Sequence, residues 1–162
     1  MNEKLTNKLK KEFPNIIPSE FTISCGDGLY KLLRKTCESL QFISDISGMK
    51  ITINDIHVSF GTLVIHYSTY KLGEPKFIGK FPEKPLPLDE KDKAFYKETT
   101  AWGNIISDVI HYAEYRSNFT CTECGEHGFM AAFDDGINIL CMTHNSEKTA
   151  RQIKQRKRYE CK

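Results

Sequence analysis

Cys121-Thr122-Glu123-Cys124-Gly125, answered by Cys141-Met142-Thr143-His144, is the stretch on which the reading of this chain turns. A C-x2-C pair and a C-x2-H pair stand 16 residues apart. Three sulfurs and one imidazole nitrogen are the donor set of a closed tetrahedral zinc site. Two thiolates separated by two residues reach one ion because the turn between them folds back. Gly125 supplies the backbone freedom that such a turn needs. The spacing predicts one structural Zn2+ per chain on Cys121, Cys124, Cys141 and His144. A filled four-ligand site keeps no position open for water, so the ion is expected to hold the fold and not to catalyse. Glu123 and His127, beside the ligands, are candidates to support them from outside the coordination shell.

Between the ligand pairs, Phe129 to Phe133 and Ile137 to Leu140 flank Asp134-Asp135-Gly136, the pattern of a β-hairpin with an Asp-Gly turn. From Asn145 to Tyr159 the chain is rich in helix formers, with Asn145 or Ser146 as the expected cap. Knuckle, hairpin, then a ligand pair leading into a helix is a treble-clef-like layout. Metal-dependent nucleases built on that layout place a histidine in the hairpin as general base. The stretch 129–140 holds none, so a nuclease is the least supported function.

On the N-terminal side, a helix is expected from Asp89-Glu90 to Arg116. Ala94, Phe95, Ala101, Trp102, Ile105, Ile106, Val109, Ile110 and Ala113 recur at the helical period. His111 is expected at the edge of the core. Residues 72–93 break this regularity with Pro75, Pro82, Pro85 and Pro87 and read as an extended insertion. Within it Lys76, Lys80 and Lys84 interleave with Phe77 and Phe81, a mixture of cations and rings suited to a phosphate-bearing, nucleotide-like ligand.

Further back, residues 50–70 alternate as strands, with Asn54-Asp55 and Gly61 as turns or bulges. His57 and His66 stand out of phase with the apolar positions and are expected on the polar face. Gly26-Asp27-Gly28 opens a helix whose Leu29, Leu32, Leu33, Cys37 and Leu40 share a face, with Asp27 as the expected N-cap. Residues 3–13 form a short charged helix that Pro14 stops.

The fold class expected is therefore α+β: a small antiparallel sheet packed with amphipathic helices, plus a C-terminal treble-clef-like zinc module. Residues 1–118 are the body and 119–162 the module with its basic helix. The 162 residues, 40% hydrophobic and 11% aromatic, suffice for a packed core. No apolar run approaches the roughly 18–20 residues that cross a bilayer. The lysine-rich start carries no secretory signal, so a cytoplasmic protein with no membrane partner is expected. In a reducing compartment six cysteines point to metal before disulfides. Cys25 and Cys37 then read as buried apolar side chains and Cys161 as a tail thiol.

Net charge is +2, unevenly spread: seven cations against two anions over 145–162 give that end about +5, leaving about −3 for the rest. Lys148, Arg151, Lys154 and Arg158 recur every three or four residues and share a helix face. A nucleic-acid-binding regulator using that face is one functional reading. The other is a non-enzymatic binding protein, favoured because the chain shows no P-loop, dinucleotide glycine pattern or nucleophile elbow. Homo-oligomerisation is compatible with both.

Gly26-Asp27-Gly28-Leu29-Tyr30, Val58-Ser59-Phe60-Gly61-Thr62-Leu63, Glu114-Tyr115-Arg116-Ser117, Cys121-x2-Cys124-Gly125, Gly128 and Leu140-Cys141-x2-His144 follow one another in order. This succession resembles a widespread group of small, mostly uncharacterised zinc-finger proteins of phages and bacteria. Their pattern reads GDGW, KFGxLRFY, E-x2-S, C-x2-C-G-x2-G and GW-x2-LC-x2-H. The likeness spans about residues 24–148 outside the insertion. Leu29 and Ile137 stand where the group has Trp, and His57, Val58, Ser59 and Val64 replace its charged strand positions. The resemblance implies the zinc fold. It also implies a phage-type accessory or counter-defence factor in the host cytoplasm, one that binds a host protein or sequesters a small phosphate-bearing ligand.

Overall fold

A computed structural model of the chain describes residues 1–71 and 90–160. Among these residues four α-helices and two small sheets make an α+β fold, in the order α1 (Glu3–Glu12), β1 (Ile23–Ser24), α2 (Tyr30–Ser47), β2 (Met49–Ser59), β3 (Thr62–Lys71), α3 (Glu90–Ser117), β4 (Phe129–Phe133), β5 (Gly136–Leu140) and α4 (Met142–Glu160). The first sheet has the order β1-β2-β3 and the second is the β4–β5 hairpin.

The first sheet is mixed, not purely antiparallel: β1 runs parallel to β2, with Ile23 opposite Ile56 and Ser24 opposite His57. Two paired residues leave no alternation to read, so this strand is carried by tertiary pairing alone. The long β2–β3 hairpin is antiparallel and contains a bulge between Ile53 and Asp55. Ile51 and Ile53 are buried before the bulge and Ile56 after it. One extra residue thus moves the buried phase from odd to even positions. Beyond the bulge Asp55 and His57 face away from the core, and His66 is exposed.

Helices α2 and α3 cover the other face. Leu33, Cys37 and Leu40 of α2 meet Ile51, Ile53, Ile56 and Leu63 of the sheet, joined by Ile106 and Ile110 of α3. Leu9, Ile16 and Ile17 close the core from the N-terminal side. Along α3 the inward face runs Trp102, Ile106, Val109–Ile110, Ala113, Ser117. Ala101, Ile105 and His111 flank that face and are exposed, so the apolar stripe is narrower than its residue list suggests.

β3 is an edge strand, and α3 satisfies two of its outward N–H groups. The Leu63 N–H donates to Ser117 Oγ at 2.9 Å and the Ile65 N–H to Glu114 Oε1 at 2.9 Å. Side chains three apart on a helix match N–H groups two apart on a strand. Ser117 is fully buried and passes its own proton to the Glu114 carbonyl.

Asp27 does not cap a helix through its side chain. Its carboxylate accepts from the backbone and the side-chain amide of Asn2, both at 2.6 Å. Asn2 in turn caps α1 through the Leu5 N–H. The turn at Asp27–Leu29 uses no side-chain cap, which leaves that carboxylate free to hold the N-terminal helix.

No helix among the described residues is long and apolar enough to cross a membrane. Cys25 and Cys37 are buried, as expected. Burial pushes the Cys25 thiol up to about 11 and the Cys37 thiol to about 12.

Candidate metal centre

The knuckle is a tight backbone loop. The Gly125 N–H donates to the Cys121 carbonyl at 2.9 Å, and the Cys121 N–H to the Glu126 carbonyl at 2.7 Å. Gly125 has φ +81°, a left-handed conformation that a side chain would strain. Thr122 is tied to the hairpin through its N–H and the Ile139 carbonyl, 2.9 Å apart. β5 then delivers Cys141, and α4 begins at once with Met142.

The helix therefore starts three to four residues before Asn145 and Ser146. His144 sits in its first turn, where the Asn145 N–H already bonds the Cys141 carbonyl. Ser146 is interior and donates back to the Met142 carbonyl. Weak helix formers at 143–145 hid this start from the sequence. Tertiary anchoring of Cys141 and His144 overrides their propensity.

The four donors converge. One ligand atom each from Cys121, Cys124, Cys141 and His144 lies within 4.8 Å of the other three, a group able to hold a metal ion. His144 Nδ1 is 3.4 Å from the Cys121 sulfur and 3.2 Å from the Cys141 sulfur. The Cys124 and Cys141 sulfurs are 3.9 Å apart. Cys121 is buried, Cys141 and His144 are half-buried, and Cys124 is exposed. Burial raises the Cys121 thiol. Backbone N–H groups of Cys124, Cys141 and Glu123, with the His144 ring, outweigh it and bring the thiol down to about 6. His144 is raised by its bonds to the sulfurs of Cys121 and then Cys141.

The body reaches into this loop. The Gly28 N–H donates to the Thr122 carbonyl at 2.9 Å. A Cβ on Gly28 would lie 2.2 Å from the Cys121 carbonyl oxygen and 2.5 Å from the Gly125 nitrogen. Sequence reading placed Gly28 beside a helix start and had no signal for this contact, because 94 residues separate Gly28 from Thr122.

Of the outlying candidates, His127 stacks on Phe119 with ring centroids 6.4 Å apart, and Glu123 lines a cavity of ≈ 390 Å³ between the hairpin and α4. Two of the four basic positions on α4 are engaged. Lys148 bonds Asp135 at 2.7 Å and lies over the Phe133 ring, and Arg151 faces Glu147 at 3.7 Å. Arg156 pairs with Asp134. Lys154 is exposed. The acidic hairpin turn thus sits against the basic helix, a role that Asp134 and Asp135 did not advertise as turn residues. Lys76, Phe77, Lys80 and Phe81 lie outside the described residues, as does the side chain of Arg158. No family model, curated protein or solved structure matches the chain.

Proposed function

We propose that this chain is a non-enzymatic, zinc-stabilised binding protein in which one Zn2+ locks the module to the body and takes no part in chemistry. Convergence of the four donors carries the reading. Tetrahedral zinc with bonds of about 2.3 Å to sulfur and about 2.0 Å to nitrogen puts sulfurs about 3.8 Å apart and sulfur and nitrogen about 3.5 Å apart. Separations of 3.9, 3.4 and 3.2 Å fit that figure. Thiolate with imidazole is also a donor set that suits zinc better than hard cations. The knuckle, hairpin and helix succession supports a treble-clef-like module.

The recognition surface in this reading is the groove of ≈ 550 Å³ between α2 and α3, lined by Leu32, Ile105, Val109 and Tyr112 with Lys35 and Asp108 at its sides. Tyr112 is 62% and Ile105 43% exposed. Phe42 and Ile46 continue the α2 face and are 63% and 55% exposed. Large apolar side chains left open in a row mark a protein-binding site. Its occupant is an amphipathic segment of a host protein, with charges opposite to Lys35 and Asp108 beside its apolar face. From the resemblance to phage-encoded proteins, the role is that of an accessory or counter-defence factor in the cytoplasm.

The test compares zinc-loaded wild type with Phe42→Asp/Ile105→Asp as baits in a bacterial lysate. The variant keeps its zinc and its melting profile and loses a protein that the wild type retains. Identical capture by both baits removes the groove from the account.

Nucleic-acid binding through α4 is the second reading, carried by exposed Lys154 among the basic positions. The pairing of Lys148 with Asp135 and of Arg156 with Asp134 counts against it, since those cations are already neutralised. Gel shifts over rising salt decide. Binding that falls steeply with salt and is lost in Lys154→Glu supports this reading over the first.

A further inference from the structure

The bulge in β2 does more than bend a strand. Without it, Asp55 and His57 would share the buried phase of Ile51 and Ile53. With it, they turn to the outer face of the sheet, and the register sets Asp55 directly opposite His66 on β3. Asp55 and His57 are two apart on one strand, hence on the same face, and His66 is the cross-strand neighbour of one and diagonal to the other.

A carboxylate and two imidazoles meet there. Asp55 Oδ2 lies 2.6 Å from His57 Nδ1, and the two histidine rings are 5.8 Å apart at 31°. One ligand atom from each residue lies within 4.8 Å of the other two. The side chains of Asp55 and His57 are 47% and 36% exposed, so an ion can enter from solvent. Donors bonded to one ion at about 2.1 Å stand roughly 3.0–3.5 Å apart. The 2.6 Å Asp55–His57 contact is a hydrogen bond, which an ion would replace by taking the place of the shared proton and opening the pair to that separation. His66 is exposed, and its ring is the one that would have to turn to complete the set.

We propose that Asp55, His57 and His66 form a second metal site, open to solvent, for a divalent first-row transition ion such as Zn2+ or Ni2+. Two imidazoles select borderline ions over Mg2+ and Ca2+, which take all-oxygen sets. Three protein donors leave coordination positions for water or an incoming ligand, unlike the cysteine centre. The scaffold favours this use. All three donors stand on paired strands, and the bulge fixes their common face before any ion arrives.

The experiment is native mass spectrometry of the full-length protein titrated with Zn2+, repeated with Ni2+, for wild type, His66→Ala, His57→Gln and Asp55→Asn. Wild type is expected to take up one more ion than each variant. Affinity for that ion should fall about tenfold or more when a donor is removed, at least the loss known for changes outside the coordination shell. Because the reading is a difference between proteins, occupancy of the cysteine centre cancels and its failure would not touch the result. All three side chains are at the surface, and a thermal melt of each metal-free variant matching wild type confirms the fold. Equal ion counts and equal affinities in wild type and all three variants overturn the site. In a third titration with Mg2+, uptake of Mg2+ in place of Zn2+ and Ni2+ overturns its assignment to transition ions.

Discussion

Gly28 donates its backbone N–H to the Thr122 carbonyl at 2.9 Å, so the turn that opens α2 is bonded to the loop that carries two of the four candidate metal ligands. The contact is backbone to backbone at both ends, and it exists only because Gly28 has no Cβ.

Gly28→Ala tests that closeness. The new carbon would stand 2.2 Å from the Cys121 carbonyl, which must move along with the ligand it belongs to. Overpacking of this kind costs about 3 kcal/mol. Both the melting temperature and the metal affinity are expected to fall. Metal competition against a chelator, run beside a thermal melt, checks the two losses on one sample.

Cys124→Ser separates metal from packing. Cys124 is exposed, and exchanging a surface thiol for a hydroxyl is ordinarily worth less than about 0.5 kcal/mol. A loss of several kcal/mol, with the bound ion gone from elemental analysis, is therefore attributable to the ion. A near-neutral melt with zinc content unchanged from wild type would remove Cys124 from the ligand set.

Ser117→Ala unpairs the buried Leu63 N–H, and Glu114→Ala does the same for the Ile65 N–H. Each orphaned donor is expected to cost about 1–3 kcal/mol. Urea unfolding monitored by circular dichroism should show both losses with little change in slope. Amide exchange at Leu63 and Ile65 should quicken before the rest of β3.

Cys37 sets a pH dependence. Burial raises its thiol from 9.0 to about 12, so the folded state keeps a proton that the unfolded chain gives up first. The stability this contributes is complete below about pH 9 and is lost as pH rises toward 12. Between those limits the slope is at most about 1.4 kcal/mol per pH unit for one such group. Cys37→Ala should flatten the alkaline limb of a stability–pH curve at a fixed cost in packing. In alkylation at pH 8, Cys121, Cys124 and Cys141 should react once a chelator is added, and Cys37 only on unfolding.

The parts of the fold written in local pattern were legible. Paired ligand spacing announced Cys121, Cys124, Cys141 and His144, and the structure brings their donors together. The turn between Phe133 and Gly136, the helix through Ile106 and Ile110, and the bulge at Asn54 all leave marks within a few residues. What stayed hidden depends on pairing at a distance. A two-residue β1 has no periodicity, so its parallel partner could not be inferred. Asp27 looked like a cap because capping is local, whereas its partner Asn2 is 25 residues away. The helix start at Met142 follows from where β5 leaves Cys141, whose carbonyl already accepts the Asn145 N–H, a position that local pattern does not reveal. The union of Asp55 with His66 required a strand register, which hydrophobic alternation does not supply.

The clamp of Ser117 and Glu114 on β3 has one more consequence. An open strand is a template on which another chain can lay itself down, rung by rung, whether to recruit a peptide or to seed a fibril. Here two of those rungs, Leu63 and Ile65, are already taken by the protein's own helix. Over that stretch of the edge a newcomer finds the shape and chemistry of side chains in place of the two backbone donors it would pair with.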